Sequence, residues 1–196
     1  MTEPAIEPIE NSKNAIVICT AATPDDVKAA SKVDTSYSTN QMYIMECSWD
    51  KDGAKISLAV QKLEQPLEKK FPLDSLEVSD RLILAKLNDA VVGFTLLEFQ
   101  DWNSRAVIQH LYVEPSFRRL GIGKQLVDAL LTRAKLGRNG HSYRCLWLEA
   151  QNTNINAISF YLCQGFQLCG FDHKLYDPRD ASVLPGEFAL FFALDL

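Results

Sequence analysis

The segment Arg118-Arg119-Leu120-Gly121-Ile122-Gly123-Lys124 is the starting point for interpreting this sequence, because it joins a strand pattern to a helix pattern. Its two glycines carry no Cβ, so backbone N–H groups of the loop can approach a ligand closely and converge on one point. The N-terminus of the following helix adds the positive end of its dipole, and three basic side chains add charge. The loop therefore predicts a phosphate site, although a glycine-rich turn between strand and helix is also common as plain chain geometry.

Strand and helix patterns alternate along the chain after residue 105. The predicted elements are strands at 106–113 and 145–150, helices at 122–134 and 154–164, and closing strands at 166–175 and 187–194. Gly137 and Gly140 end the first of these helices, and Gly165 caps the second. A strand–helix–strand crossover of this length makes the strands at 106–113 and 145–150 parallel, with a right-handed connection.

The N-terminal half predicts a mainly antiparallel region. It contains a strand at 15–19, a helix that starts at Thr23-Pro24-Asp25-Asp26, a turn at 50–53 followed by strand alternation, and a hairpin of strands 81–87 and 91–99 joined at Asn88-Asp89. Together the two halves predict an α/β fold built on one mixed sheet.

The length and composition of the chain fit one globular domain. The chain has 196 residues, of which 47% are hydrophobic and 23% charged. A chain of this length can bury about 70% of its unfolded surface. These values exclude collagen-like, disulfide-scaffold and wholly disordered classes of protein. Residues 1–14 carry acids and prolines without apolar periodicity, so we expect a loose tail at 1–14 and one domain at 15–196.

Charge and cysteine usage predict the partners and the compartment of the protein. Twenty Lys and Arg against 25 Asp and Glu give a net charge of −5, which disfavours nucleic acid and anionic membranes and favours a cationic small molecule. The five cysteines lack a C-x-x-C pair and the three histidines lack zinc spacing, so we expect no metal site and a reduced, cytoplasmic environment. We also expect neither a signal peptide nor a transmembrane helix, since no apolar run is long enough.

The glycine loop matches neither of two common phosphate motifs. It is not the G-x-x-x-x-G-K-[ST] of P-loop proteins, and it is not the G-x-G-x-x-G of dinucleotide-binding proteins. Its pattern, R-x-x-G-x-G, resembles the pyrophosphate loop of the GNAT superfamily of N-acetyltransferases. A second motif of that superfamily, N-x-x-A-x-x-x-Y followed by G-F, is similar to Asn154-Ile155-Asn156-Ala157-Ile158-Ser159-Phe160-Tyr161 and Gly165-Phe166.

A closer resemblance, to streptothricin acetyltransferases, extends from about residue 16 to residue 196. The segments that carry it are Thr23-Pro24-Asp25-Asp26, Lys70-Phe71-Pro72, Asp101-Trp102-Asn103, Leu146-Trp147-Leu148-Glu149, residues 168–172, Leu175-Tyr176-Asp177 and the aromatic end at 188–194. One position departs from the pattern. Those enzymes typically carry an acidic pair in the strand before the loop, where this chain has Gln109-His110. The departure leaves open the charge of the acceptor side and any base on that strand.

The resemblance implies a fold, a co-substrate and a set of contacts. It implies one GNAT-like domain in which two parallel middle strands splay apart between flanking helices, and direct transfer from acetyl-CoA to a primary amine in a ternary complex. The residues it assigns to acetyl-CoA are Leu111, Tyr112, Val113, Arg118, Arg119, Leu120, Gly121, Ile122, Gly123, Lys124, Asn154 and Tyr161. Tyr161 corresponds to the general acid of the family, although its place on the apolar side of its helix also fits core packing.

The resemblance leaves alternatives for the base and the acceptor. Glu149, at the carboxyl end of the second parallel strand, and His110, beside the expected acetyl site, are both candidates for the base. A histidine in a strand is also common as a structural residue. The candidate acceptor contacts are aromatic, amide and acidic side chains that suit a flexible polyamine: Phe71, Trp102, Asn103, Glu149, Asp172 and Tyr176.

For the function, we expect acetylation of the β-lysine arm of streptothricin, and hence resistance to that antibiotic. Two alternatives for the acceptor stay open at this point. It is another cationic small molecule, such as an aminoglycoside or a polyamine, or it is a protein or peptide amine. A non-catalytic acyl-CoA-binding module would need a degraded loop or the loss of Tyr161, and the sequence shows neither. A homodimer also stays open.

Overall fold

A computed structural model describes residues 15–21, 23–73 and 76–196, so the predicted tail at 1–14 lies outside the described residues. The elements, in chain order, are β1 (Ile16–Ala21), α1 (Pro24–Ala30), β2 (Ser36–Asp50), β3 (Gly53–Lys70), β4 (Ser79–Leu87), β5 (Ala90–Gln100), β6 (Arg105–Val113), α2 (Ile122–Leu136), β7 (Cys145–Gln151), α3 (Ile155–Cys163), β8 (Gln167–Asp172) and β9 (Ala189–Asp195). Short 3₁₀ turns at Asp101–Asn103 and Pro115–Phe117 flank β6. No helix in these ranges is long and apolar enough to cross a membrane.

Seven of the described strands form one mixed sheet in the order β1-β4-β5-β6-β7-β9-β8. Neighbouring strands in this sheet are antiparallel except β6 and β7, which are parallel and connected through α2. Among the described strands, β2 and β3 pair only with each other, as a separate two-stranded sheet. The predicted α/β class, with a mixed sheet and a parallel pair at its middle, is confirmed.

The parallel pair separates soon after it begins. Residues 105–107 of β6 are paired with 145–147 of β7, and the pairing stops there although both strands continue. On its other side β6 stays paired with β5, through a register shift next to Leu96. The two strands therefore leave a gap between their carboxyl ends, and the segment 118–124 follows β6 at that end.

Helices cover the two faces of the sheet unequally. α2 and α3 lie on one face, where Leu126, Ile158 and Leu148 are almost fully buried in the main core. α1 covers the opposite face only near β1 and β5, around Phe94. On that second face no described helix packs closely over β6, β7 and β9. We call this surface the open face. Glu149 lies on it, because side chains alternate along β7 and those of Leu148 and Ala150 enter the core on the other face.

Local signals in the sequence explain two element boundaries. Thr23 is the N-cap of α1: its hydroxyl accepts a hydrogen bond from the Asp26 N–H at 3.2 Å, and the Asp26 carboxylate accepts one from the Thr23 N–H at 3.1 Å. Asn88 and Asp89 have φ of 48° and 64°, as a two-residue turn between β4 and β5 requires. Both predicted features are confirmed.

The β2–β3 hairpin is the part of the fold that the sequence analysis largely missed. The turn at 50–53 was predicted, but strand β2 was not. The Tyr43 N–H donates to the Asn152 backbone oxygen at 2.9 Å, and the Asn152 amide donates to the Tyr43 oxygen at 2.7 Å. Lys69 Nζ lies 2.6 Å from the carboxylate of Glu187, whose side chain is fully buried. These contacts fasten the hairpin to the loop after β7 and to the start of β9.

Candidate active site

The gap between β6 and β7 opens into a cavity of about 710 Å³. Ten of the residues predicted to hold the co-substrate line it: Leu111, Tyr112, Val113, Arg118, Arg119, Gly121, Gly123, Lys124, Asn154 and Tyr161. Ile122 is 1% exposed and packs into the core beneath the loop, and Leu120 is 64% exposed outside the lining. The cavity therefore brings together β6, the glycine loop and α3.

The glycine loop presents backbone donors at the start of α2. Gly121 is the N-cap of α2 with φ +80°, and no side chain caps the helix there. The first N–H groups of a helix have no partner within the helix, so they are available to a ligand in the cavity. The 15-residue helix adds its dipole at the same end. This geometry fits a phosphate group.

The basic side chains of the loop are partly engaged with the protein itself. Arg118 donates from Nε to the Val113 backbone oxygen at 2.9 Å and from Nη2 to the Ser36 backbone oxygen at 2.7 Å. Lys124 Nζ forms an exposed ion pair with Asp128 at 2.7 Å. Arg118 therefore ties β2 to the end of β6 and adds positive charge, while the helix backbone supplies free donors.

Gly123 preserves an aromatic wall of the cavity. A Cβ at this position would lie 3.2 Å from Cζ of Phe160, so any larger residue must displace that ring. Phe160 lines the cavity and packs edge-on against Tyr161, with ring centroids 5.3 Å apart. The sequence predicts Gly123 only as a position where the backbone approaches a ligand closely. The structure shows that the absence of a Cβ also lets Phe160 of α3 pack against α2.

Tyr161 is buried in the wall of the cavity with its hydroxyl unpaired. The residue is 8% exposed, and its ring packs edge-on against Phe160 and Phe166. No other described residue forms a hydrogen bond with the hydroxyl. Burial raises the pKa of Tyr161 above its ordinary value, and the nearby Tyr112 adds to the rise. The phenol is therefore protonated at neutral pH and free to donate a hydrogen bond.

Asn154 caps α3 and keeps part of its amide available. Its Oδ1 accepts from the Ala157 N–H at 3.2 Å, so Asn154 is the N-cap of the helix. Its Nδ2 has no hydrogen-bond partner within the described ranges, and the residue lines the cavity. The side chain therefore has both a structural role and a free donor.

Glu149 lies on the open face and is bonded by a loop residue. Its carboxylate accepts a hydrogen bond from the Tyr176 hydroxyl, and solvent still reaches the residue. Desolvation raises the pKa of Glu149, since nearby protein displaces part of the water around the carboxylate; Glu187 adds to the rise, and the Tyr176 bond lowers it. Burial, and after it the Glu149 charge, raise the pKa of Tyr112 to about 12. A carboxylate with a raised pKa suits proton transfer near neutrality.

His110 packs among aromatic rings on the same face. Its ring centroid lies 5.9 Å from that of Tyr112 and 6.4 Å from that of Phe94. Beside it, the Gln109 amide donates to the carboxylate of Glu98 on β5. A neighbouring strand therefore supplies an acid close to the position where streptothricin acetyltransferases are expected to carry their acidic pair.

An aromatic stack connects the open face to the cavity, and the sequence analysis recognised only part of it. The rings of Tyr37 and Phe71 stack with centroids 5.7 Å apart, and Phe71 lies 6.2 Å from Tyr112. Tyr37 lines the cavity, and its hydroxyl lies 2.8 Å from the Thr153 hydroxyl. Tyr37 was missed because it belongs to the unpredicted strand β2.

Of the six predicted acceptor contacts, Phe71 alone lines the cavity; Glu149 and Tyr176 are bonded to each other on the open face, and the other three lie elsewhere. Trp102 is 86% exposed, and Asn103 accepts from the Arg105 N–H at 3.2 Å; both precede β6. Since β6 rises about 3.3 Å per residue, this turn is roughly 26 Å from the glycine loop. Asp172 ends β8, two strands from β7, and accepts from the Lys174 N–H at 2.7 Å. Trp102 and Asn103 therefore lie far from the glycine loop, and their role as acceptor contacts stays a prediction.

Comparison with known proteins places this geometry in a family. The model of the GNAT acetyltransferase family matches residues 45–166. The streptothricin acetyltransferase of Streptomyces lavendulae is 30% identical over 185 residues, which cover 89% of this chain and 92% of that protein. Two solved structures each cover 94% of this chain and 99% of their own. They are a nourseothricin acetyltransferase, 27% identical with a TM-score of 0.71, and a protein of Bacillus anthracis described as a streptothricin acetyltransferase, in complex with acetyl coenzyme A, 25% identical with a TM-score of 0.76.

The residues of the cavity fit acetyl-CoA. The uncapped start of α2 suits the pyrophosphate. The side of β6 that faces β7, which has no partner strand beyond residue 107 among the described strands, and the amide of Asn154 suit the pantetheine arm. The Tyr161 hydroxyl has no hydrogen-bond partner among the described residues. The expected two splayed parallel strands are present, and they border this cavity. The chain belongs to the GNAT family and is an acetyl-CoA-dependent N-acetyltransferase.

Proposed function

We propose that this enzyme acetylates a primary amine on the β-lysine arm of streptothricin, by direct transfer in a ternary complex, and thereby protects a cell from that antibiotic. One observation carries the proposal. The likeness to the Streptomyces lavendulae enzyme covers 89% of this chain, whereas the family model covers only residues 45–166. The likeness therefore extends beyond the half that all such acetyltransferases share.

The charge of the open face supports a cationic acceptor. Glu149 is an exposed residue there, and Asp172 ends β8 about 12 Å away, two strand spacings across the sheet and two residues along it. Tyr112, with Phe71 packed against it, adds aromatic surface near Glu149. Carboxylates and aromatic faces both attract ammonium groups. The net charge of −5 acts in the same direction over a longer distance.

We assign the proton transfers to two side chains. Acetyl-CoA supplies the acetyl thioester. The Glu149 carboxylate takes the proton of the acceptor ammonium, and its raised pKa strengthens it as a base. The Tyr161 hydroxyl donates its proton to the departing sulfur. Glu149 is a better candidate for the base than His110, whose ring is packed among Phe94 and Tyr112.

Besides the two proton transfers, the reaction needs a group that polarises the thioester carbonyl, and the separated strands suit this role. Beyond residue 107 the β6 backbone has lost its partner strand on the β7 side, so its N–H groups there are available to an oxyanion. Fixed backbone donors stabilise developing charge without rearranging during the reaction. We propose that Leu111, Tyr112 and Val113 provide this contact.

We also propose that residues 15–196 work as one domain in the cytoplasm. All five cysteines are free, and Cys47, Cys163 and Cys169 are exposed. Exposed free thiols persist in a reducing compartment.

The test is a thiol-release assay with purified protein, acetyl-CoA and a panel of streptothricin, an aminoglycoside, spermidine and a peptide. Streptothricin should release thiol and gain about 42 mass units, the increment of one transferred acetyl group. Expression in a susceptible bacterium should raise the tolerated streptothricin concentration, and a Glu149→Gln variant should not. Acetylation of another member of the panel without any of streptothricin would refute the substrate and leave the enzyme class intact.

A further inference from the structure

The proposed base is set apart from the cavity that suits the co-substrate. Glu149 lies on the open face and is not among the described residues that line the cavity, whereas Tyr112 and Tyr161 both line it. The strands that carry Tyr112 and Glu149 are paired only as far as residues 107 and 147. The acceptor amine must reach the thioester inside the cavity, so its proton needs a path from there to Glu149.

Tyr112 adjoins both the cavity and Glu149. Its direct cross-strand partner, Phe94, lies on the sheet face that α1 partly covers, and the open face is the rest of that same side. β7, which carries Glu149, is the next strand in the sheet. The Glu149 charge contributes to the raised pKa of Tyr112, and Tyr112 contributes to that of Tyr161. The Tyr112 hydroxyl is therefore within electrostatic range of both groups assigned to proton transfer.

The Tyr112 hydroxyl is unpaired and accessible. No described residue forms a hydrogen bond with it. Among described side chains that are at least partly buried, Arg105 Nε is the only fully buried nitrogen or oxygen without a partner, so the unpaired Tyr112 oxygen keeps some contact with solvent. The rings of Phe94 and Phe71 hold the Tyr112 ring, with centroids 5.6 Å and 6.2 Å away. The ring is therefore fixed, while its oxygen is available to a ligand.

We propose that the Tyr112 hydroxyl is a further catalytic residue, which relays the proton of the acceptor ammonium to Glu149. The inference rests on the proposed function, because Glu149 is the base there. In this relay an ammonium N–H bond breaks as its proton moves to the Tyr112 oxygen, and the phenolic proton moves to the Glu149 carboxylate. Tyr112 is neutral before and after the step, and the amine gains the lone pair that attacks the thioester. Since burial and the Glu149 charge raise the pKa of Tyr112 to about 12, the phenol holds a proton to pass on at neutral pH.

The other titratable side chains nearby are less suited to the relay. Tyr176 donates to the Glu149 carboxylate but is outside the described lining of the cavity. His110 packs against Tyr112, with ring centroids 5.9 Å apart, and is outside that lining as well. Tyr37 lines the cavity, but its hydroxyl is already hydrogen-bonded to other side chains. Tyr112 combines an unpaired hydroxyl, a place in the lining and a position next to Glu149.

The test compares Tyr112→Phe with the parent enzyme and with a matched control, Tyr43→Phe. Tyr43 packs partly buried against the main core, its hydroxyl has no hydrogen-bond partner in the described part of the chain, and it is outside the described lining of the cavity. Each variant loses one unpaired hydroxyl, so both should melt within about 4 °C of the parent. At pH 7 we expect Tyr112→Phe to lower kcat for streptothricin at least tenfold and to keep the KM for acetyl-CoA within twofold. The control should keep both constants.

The pH profile distinguishes a proton relay from a contact that only positions the acceptor. An alkylamine with a pKa of about 10 is almost entirely an ammonium at pH 7. Without the relay only its uncharged fraction reacts, and that fraction grows about tenfold per pH unit below the pKa. The kcat/KM of Tyr112→Phe should therefore rise steeply between pH 7.5 and 9, whereas that of the parent is nearly constant once Glu149 is deprotonated. A profile parallel to that of the parent, or a kcat within threefold of it, overturns the relay.

A double variant tests whether the two residues act on one path. If Tyr112 passes its proton to Glu149, Tyr112→Phe with Glu149→Gln should be within about threefold of the slower single variant. Losses that multiply indicate separate roles and overturn the relay. A Tyr112→Phe enzyme that melts more than about 4 °C below the parent also overturns it, because the hydroxyl then has a structural partner. If the parent acetylates another amine and not streptothricin, the proposed substrate fails, and the same comparisons with that amine decide on the relay.

Discussion

Replacing Tyr161 by Phe separates its chemical role from its packing role. The change removes one oxygen from a residue that is 8% exposed, and no described residue forms a hydrogen bond with that oxygen. The ring contacts with Phe160 and Phe166 remain, so we expect the free energy of unfolding to change by less than about 0.5 kcal/mol. Loss of a general acid should lower kcat about 10²-fold, or about 2.7 kcal/mol of transition-state stabilisation, while acetyl-CoA still binds.

Tyr143 provides the matched control for this experiment. It is 6% exposed, but its hydroxyl donates to the Asp101 carboxylate at 2.6 Å, in the turn before β6 and far from the glycine loop. Tyr143→Phe removes a hydrogen bond to a charged group and should cost about 1 kcal/mol of stability, since water replaces part of the bond at exposed Asp101. Its kcat should stay near that of the parent.

Three measurements check the pair of variants. Thiol release at saturating substrates gives kcat, calorimetry gives the affinity for acetyl-CoA, and denaturant titration gives the free energy of unfolding. A Tyr161→Phe enzyme with kcat within threefold of the parent would refute the general-acid role. A loss of more than about 2 kcal/mol of stability in that variant would show instead that the hydroxyl has a structural partner, since losing a buried hydrogen bond costs about that much.

Three other changes follow from the same structure. Gly93→Ala should destabilise the fold by about 1–3 kcal/mol in denaturant titration, because its Cβ would lie 2.9 Å from a backbone oxygen of β6; an unchanged midpoint contradicts this. Lys69→Met should cost about 3–5 kcal/mol, because it leaves the fully buried Glu187 carboxylate without its cation, and adding Glu187→Gln should recover much of the loss. Tyr176→Phe should move the acid limb of the kcat/KM profile to higher pH, because its hydroxyl lowers the pKa of Glu149 and the base must be deprotonated. A limb that stays in place with the same acceptor argues against Glu149 as the base.

Short-range signals in the sequence were sufficient for many elements. The Thr23 cap, the turn at Asn88-Asp89 and the glycine loop are each specified by residues within a few positions of one another, and the structure has all three. Strand β2 has no such signal, because its first residues are polar. Its apolar face forms only when it pairs with β3, where Tyr43 meets Val60.

The candidate site shows the same difference between residues set by local motifs and residues that depend on distant segments. The residues around the glycine loop and Tyr161 were assigned from compact motifs, and the cavity collects them in one place. The acceptor side depends on segments distant in sequence, and there the resemblance gave Trp102 and Asn103, which lie at the other end of β6, and missed Tyr37. A segment that resembles a known family can lie at either end of a strand, and the resemblance alone does not show at which end the segment lies.

The α/β class, the parallel crossover and the phosphate loop could be predicted without coordinates, because helix periodicity, turn residues and glycine placement are local properties of the chain. The point where β6 leaves β7 and the loop that reaches Glu149 could be read only from the assembled sheet. Those features depend on strand register and on contacts between residues far apart in the sequence, such as that of Lys69 with Glu187, 118 positions away. Such contacts form only when the whole sheet is assembled, since their energy comes from burial and pairing that no single segment contains.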